Sequence, residues 1–340
     1  MNPRPASHRP RPARPAGVVI RGTGIALPDK VLSNHDLAQL VDTNDEWITQ
    51  RTGIKTRRIV EGDTTVRDLA RDALTHALDT ADLPAAELDL VILATITPEM
   101  VCPNTAARVV AELGATPAGA MDLSAACSGF VYALNVAASL IESGMYRTVG
   151  VVGAETLSKI VDYQDRRTCI LFGDGAGAAV LQADDDPDRG CLYQTMHSNG
   201  DFWGELYVPR QPTHLPENNN FTGAFDTLQM NGREVYKFAV TTTQKMMAQT
   251  LEAAGVKPEE LALVVSHQSN KRILESARDR FGLPEDKLYI NIDRFGNTSA
   301  ASAPICLHEA YTQGKIHPGD LVLFCAIGGG MTWSTSLWRM

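Results

Sequence analysis

LPAAELDLVIL (residues 83–93) and VKPEELALVVS (residues 256–266) are two copies of one pattern, an acidic turn running into a near-continuous apolar strand. Each copy leads into a helical stretch that closes on a glycine, 106–114 in one case and 271–282 in the other. Next comes a short strand, MDLS (121–124) or INID (290–293), then a helix ending in ESG (142–144) or TQG (312–314), then a third strand. The chain therefore repeats one βαβ arrangement. The apolar runs at 90–93, 148–152, 263–265 and 321–324 suit strands covered by helices on both faces, which places the chain in the α/β class. Helices are predicted over 66–81, 105–113, 127–142, 234–254 and 270–281. The N-terminal half spans 18–190 and the C-terminal half 227–340. Residues 184–227 fit neither repeat, and 191–226 are assigned to inserted cap loops. Residues 1–17, MNPRPASHRPRPARPAG, are rich in proline and arginine and read as a disordered tail.

The duplication also brings three chemically useful side chains together. Seventeen residues before Gly144 stands Cys127, and seventeen before Gly314 stands Asn297. The two are expected at equivalent strand-to-helix junctions. His267 falls at a strand end, opposite Ala94 of the other copy. Ligands in such folds gather at the carboxyl ends of strands. Cys127, at the start of an apolar helix, is expected to gain from its unpaired N–H groups, which favour a thiolate and can hold an oxyanion. Singly, His267 reads as a satisfied buried histidine and Asn297 as a helix cap; jointly they read as donors facing a thiol. Cys-His-Asn also occurs in papain-like proteases, but a duplicated α/β chain argues against that organisation. The glycines of AIGGGMTWSTS (326–336) allow close backbone approach, with Gly329 offering a second oxyanion contact. The glycines of FGDGAGAAV (172–180) lack the full dinucleotide fingerprint and read as packing.

Composition narrows the classes. The chain has 340 residues, 44% hydrophobic, with 31 basic against 40 acidic residues and a formal charge of −9. That balance argues against an extended nucleic-acid footprint. Nothing approaches the run of about 18 apolar residues that a membrane span needs. Six cysteines without a C-x-x-C read as reduced thiols, which points to the cytoplasm, and no metal site is expected.

AACSGF (125–130), HQSN (267–270), DRFGNTSAAS (293–302), GGGMTW (328–333) and DTNDEWITQRTGI (42–54) resemble, in order, the motifs of the β-ketoacyl-acyl-carrier-protein synthase III family, and the likeness covers roughly residues 18–340. The resemblance implies a duplicated thiolase fold, five-layered α-β-α-β-α with two mixed sheets, and a homodimer. It implies an acyltransferase that condenses a primer acyl-CoA with malonyl-carrier protein, releasing CoA and carbon dioxide and initiating fatty-acid synthesis, with no permanently bound cofactor. Cys127 would carry the acyl group, while His267 and Asn297 would bond the malonyl thioester oxygen. Trp47 and Arg166 would sandwich the CoA adenine, Arg51 would meet a phosphate and Asn270 the pantetheine arm. Lys271 and Arg272 would belong to the patch receiving the acyl carrier protein. Cys102, on a loop reaching from the partner subunit, would close the acyl pocket where the family places a phenylalanine, and Met331 is assigned to the same pocket.

Relatives act as controls. Thiolases set a second cysteine directly before I-G-G-G, whereas Cys325 stands one residue too early, an offset that reverses the side chain on a strand. Hydroxymethylglutaryl-CoA synthase would want an acid where Asn297 stands. Phe295, Met331 and Ser334 replace a histidine, a phenylalanine and a glycine common in the family, and the expected consequence is a reshaped acyl tunnel. The rival reading is a synthase that primes a polyketide or other secondary product, suggested by the unusual stretch 200–221. A non-catalytic partner subunit of the same fold is the third reading, and the intact Cys127, His267 and Asn297 argue against it.

Overall fold

The computed structural model describes residues 17–216 and 223–340, so the tail, apart from Gly17, and part of the insert lie outside the described residues. Two mixed sheets carry the fold. The first runs in the order Gly17–Ala26, Gly175–Asp184, Thr148–Glu155, Leu90–Ala94, Gly119–Leu123. The second runs Gly190–Ser198, Thr332–Arg339, Leu321–Gly328, Leu261–Ser266. Successive pairings in the first sheet are antiparallel, antiparallel, parallel and parallel. The second repeats antiparallel, antiparallel and parallel. Its fifth place is taken by a single parallel bridge between Val264 and Leu288.

Alternation along each strand builds the layers. Leu90, Ile92 and Ala94 point into the core between the sheets, while Val91 and Leu93 meet the outer helices Val66–Ala81 and Thr105–Glu112. In the second sheet Val322, Phe324 and Ala326 face inward, while Leu323 and Cys325 face the outer helices Gly232–Ala254 and Lys271–Phe281. Between the sheets lie two central helices, Gly129–Glu142 and Ser302–Thr312, most of their residues buried. The result is five layers, α-β-α-β-α. Apolar runs covered on both faces need this arrangement. Cys325 does turn away from the central layer, as its one-residue offset requires. Among the described residues no helix is long and apolar enough to cross a membrane.

Three expectations need correction. Gly190–Ser198, read as the start of the inserted loops, is the edge strand of the second sheet, paired with Thr332–Arg339. It matches Gly17–Ala26 of the first sheet, so it belongs to the second repeat. INID forms no strand; Ile292–Phe295 is one helical turn. There the Gln268 side chain takes over from a backbone ladder, donating to Ser266 O and Tyr289 O and accepting from Asn291 N–H. Finally, Cys127 and Asn297 are not equivalent. Matching left-handed residues precede the two central helices at Ala126 (φ 46°) and Ser299 (φ 50°), which pairs Cys127 with Ala300. Gly129–Glu142 has 14 residues and Ser302–Thr312 has 11. Counting back seventeen residues from Gly314 therefore overshoots Ala300 by three, about one turn, and lands on Asn297.

The glycines of 172–180 pack as expected; a Cβ at Gly177 would stand 2.8 Å from the Pro304 carbonyl carbon. Gly153 is tighter, since its Cβ would lie 2.2 Å from Ala300 O. Backbone cannot retreat as a flexible side chain can, so Gly153→Ala should cost at least about 1–3 kcal/mol, the range for overpacked cores. Urea unfolding measures it, and a wild-type curve would contradict the packing.

Candidate active site

The strand Gly119–Leu123 ends beneath the central layer, and the chain turns sharply through Ala126 to place Cys127 one residue before Ser128, the cap of the first central helix. Gly129 makes the turn possible, because a Cβ there would stand 3.0 Å from the Ala94 Cβ. Gly328 presses on the other side, its missing Cβ falling 2.7 Å from Cys127 N. The thiol is thus held between two backbones. Burial pushes it up to about 12, a Ser299 hydrogen bond opposes this, and nearby Glu155 adds to the rise. The expected thiolate gives way to a resting thiol because desolvation of the charged form outweighs the donors at the helix start.

His267 follows the strand Leu261–Ser266, its N–H donating to Cys325 O at 2.9 Å. The ring is buried, which lowers it to about 3 against a backbone hydrogen bond with Ser299 that favours its charged form. The imidazole is therefore neutral across the physiological range. Asn297 is clamped by its backbone, N–H to Leu171 O at 2.8 Å and O from Gly173 N–H at 3.0 Å. Its Oδ1 accepts from Ser299 N–H at 2.9 Å. With the oxygen engaged there, the amide presents Nδ2 as a donor.

Cys127, His267 and Asn297 line one narrow cavity of about 100 Å³ with Asn270 and Met331. A second, apolar cavity of about 230 Å³ lies beyond the thiol, walled by Ile96, Leu157, Phe172, Leu206 and Leu228, with Gly329 beside Cys127. Met331 borders the first cavity and not the second. Cys102 is exposed and lines neither cavity. Phe295 packs with Ala301 and Ile305, and Ser334 donates to Thr195 O and accepts from Asn135. Neither borders these two cavities, so of the three departures only Met331 lines the site. The insert supplies Leu206, Tyr207 and Val208 to the apolar wall.

At the surface, Trp47 sits in the short helix Asp45–Thr52 with the guanidiniums of Arg51 and Arg166 at 5.8 and 5.5 Å from its ring centroid. Arg166 also donates to Asp42 O. Asn270 caps Lys271–Phe281 and donates to Arg51 O at 3.1 Å, linking this cluster to the inner cavity. Arg272 lies over the Tyr236 ring, and Lys271 pairs with Glu275. Among the described residues no group of three metal-ligating side chains occurs. Sequence reasoning missed Ser299 and Glu155. An acid ending the otherwise apolar run TVGVVGAE was the readable signal for the second.

A duplicated fold with cysteine, histidine and asparagine around one narrow cavity defines a condensing acyltransferase of the thiolase type. Known proteins agree. Models described as 3-Oxoacyl-[acyl-carrier-protein (ACP)] synthase III and its C terminal match residues 121–200 and 251–340. A beta-ketoacyl-[acyl-carrier-protein] synthase III of Caldanaerobacter subterraneus subsp. tengcongensis is 47% identical over 319 residues, 94% of this chain and 96% of that one. The crystal structure of the Aquifex aeolicus VF5 synthase III superposes with a TM-score of 0.88 at 47% identity, covering 95% of this chain and all of that one. The priming beta-ketosynthase of the R1128 polyketide pathway gives 0.89 at 33% identity, over 96% and 97% of the two chains. The chain belongs to the beta-ketoacyl-[acyl-carrier-protein] synthase III family.

The His267 shift has a measurable sign. Its folded value, about 3, lies below the ordinary 6.5. Between those values the unfolded chain binds a proton that the folded chain refuses, so this group removes stability as pH falls. By pH 5 the loss is roughly 2 kcal/mol. Glu155, raised to about 7, contributes the opposite sign, so a difference is needed. The loss in urea-unfolding free energy from pH 7 to pH 5 should be smaller in His267→Gln by about that amount; equal losses would refute a neutral buried ring.

Proposed function

We propose that Cys127 is the acyl carrier of this enzyme and that His267 and Asn297 are its enolate-stabilising donors. The reaction is the decarboxylative Claisen condensation of a primer acyl-CoA with malonyl-carrier protein, which initiates fatty-acid synthesis. The observation that carries the assignment is the shared cavity, with a thiol at its floor, an apolar pocket beyond and two neutral donors beside it.

In the first half-reaction the Cys127 sulfur attacks the primer thioester. The N–H groups of Cys127 and Gly329 hold the oxyanion, the C–S bond to CoA breaks, and CoA leaves as the thiol with the cysteine proton. In the second, the malonyl thioester oxygen accepts bonds from His267 Nε2–H and Asn297 Nδ2–H. The carboxylate leaves as carbon dioxide, and its bonding electrons form the enolate those bonds stabilise. The enolate carbon attacks the acyl-cysteine, the C–S bond breaks to release 3-oxoacyl-carrier protein, and the departing thiolate takes a proton from water to restore the thiol. Neutral donors suit this step, and burial keeps His267 neutral. Trp47 with Arg166, Arg51 and Asn270 bind CoA, and Lys271 and Arg272 receive the carrier protein. Nothing beyond these substrates is bound, and the enzyme works in the cytoplasm without nucleic acid or membrane. Identity favours the fatty-acid role over polyketide priming, 47% against 33%.

Two features support a homodimer. Gly119–Leu123 is a sheet edge with Met121 and Leu123 only partly covered, and the loop bearing Cys102 exposes Met100 and Val101. An unpaired apolar edge invites a second strand. Ile96 and Val208 border both the apolar pocket and a polar cavity of about 420 Å³ beyond it. The described residues leave the pocket's far end next to that cavity, and a partner's loop with a small Cys102 would close it with room for primers longer than acetyl.

Cys127→Ala should abolish acyl loading, read as the mass gained by intact protein from acyl-CoA. Asn297→Ala should lower malonyl-carrier-protein decarboxylation on the order of 10²–10³-fold, the loss typical of one preorganised donor, and spare loading. Slow loading with normal decarboxylation would reverse the assignment. Across acetyl-, butyryl-, isobutyryl-, hexanoyl- and octanoyl-CoA, kcat/KM should favour the longer or branched primers and shift toward acetyl in Cys102→Phe. A wild type that prefers acetyl, or an unmoved profile, would dismiss the open pocket.

A further inference from the structure

The reaction sequence above leaves one buried acid without a task. Glu155 ends the fully buried strand Thr148–Glu155 and has no solvent exposure. Its Oε2 accepts from Thr97 Oγ1 at 2.7 Å, Thr95 Oγ1 at 3.2 Å and Ile96 N–H at 3.2 Å. Its Oε1 accepts from Ser299 Oγ at 3.1 Å. No lysine or arginine is among these partners. A charge so placed is costly and persists only where donors hold it. An apolar side chain would serve the sheet as well, so the acid calls for a reason in the site.

Ser299 supplies that reason. It is a non-glycine residue in the left-handed region, φ 50°, a conformation its surroundings must enforce. Its N–H fixes Asn297 Oδ1 at 2.9 Å, and it lines the apolar cavity beside Cys127. Its backbone and hydroxyl also favour the charged forms of His267 and Cys127 against their burial. Ser299 thus stands beside the reacting side chains, and Glu155 holds it by its hydroxyl. The carboxylate comes from the first sheet, whereas His267 and Asn297 come from the second half. The bond ties the two halves together at the site.

We propose that Glu155 is a positioning residue for the condensation: through Ser299 it fixes the Asn297 amide and the His267 ring so that both donors converge on the malonyl thioester oxygen. The inference rests on the roles assigned to those two residues above. No proton is transferred. Without the carboxylate the Ser299 hydroxyl loses its anchor, the strained backbone relaxes, and Asn297 is free to turn its amide. A displacement of about 1 Å in such a group lowers a rate on the order of 10²-fold.

The test compares wild type, Glu155→Gln, Ser299→Ala and the double variant. Three quantities are read: acyl-cysteine formation from acyl-CoA, kcat and KM for malonyl-carrier-protein decarboxylation, and Tm. Each single variant should lower decarboxylation kcat on the order of 10²-fold, leave KM unchanged and slow loading far less. The double variant should fall no further than the worse single, since both act through one contact. Ser299→Ala removes only a hydroxyl and carries the test alone if Glu155→Gln does not fold. Wild-type decarboxylation in either single, losses that multiply in the double, or equal losses in loading and decarboxylation would overturn the proposal. A wild type that does not decarboxylate malonyl-carrier protein would overturn the proposed function and this inference together. An active wild type and an impaired Asn297→Ala beside an unaffected Glu155→Gln would overturn this inference alone.

Discussion

The structure depends on how closely two buried helix starts can approach each other. Gly129 opens one central helix, and the turn Ser299–Ala301 precedes the other. A Cβ on Gly129 would reach the Ala94 Cβ at 3.0 Å and the Ala300 Cβ at 3.5 Å, and Gly153 leaves no room beside Ala300 O. Small residues at 94, 129, 153 and 300 let two sheets and two helices meet at one point. The thiol sits there, with the donors of the other half beside it.

Close packing at that point also buries the reacting groups, and the electrostatics follow from it. Burial disfavours charge, so the thiol stays protonated and the imidazole neutral. Both states suit a reaction in which negative charge develops only transiently and must be met by neutral donors already in place. Glu155 is the exception that the packing tolerates. Four donors surround it, and burial still lifts it to about 7.

The same duplication explains why the active site is asymmetric. Each half contributes a sheet and a central helix, yet the equivalents of Cys127 and His267 are Ala300 and Ala94. One copy of each pair has become a small packing residue and the other carries chemistry. Asn297 lies three residues before Ala300, on the loop running beside Phe172, so the corrected pairing sets it opposite Ser124 rather than Cys127. The insert contributes Leu206, Tyr207 and Val208 to the apolar cavity, and Leu206 borders the inner one as well.

Much of this was legible in order along the chain. Apolar runs at 90–93 and 263–265 and the repeated turn before them determined the α/β duplication, because strand periodicity and covered faces are local properties of a sequence. The motifs around Cys127, His267 and Asn297 marked the reacting groups and the family. The strand Gly190–Ser198 was not legible, since its alternation is weak and its pairing lies with residues more than a hundred positions away. The equivalence of Cys127 and Asn297 failed because the two central helices differ in length, which counting from their ends cannot detect. Tertiary structure alone decided the protonation of Cys127 and the reach of Glu155 to Ser299. Desolvation and contacts across 144 residues depend on what surrounds a group in space, and the sequence records only what precedes and follows it.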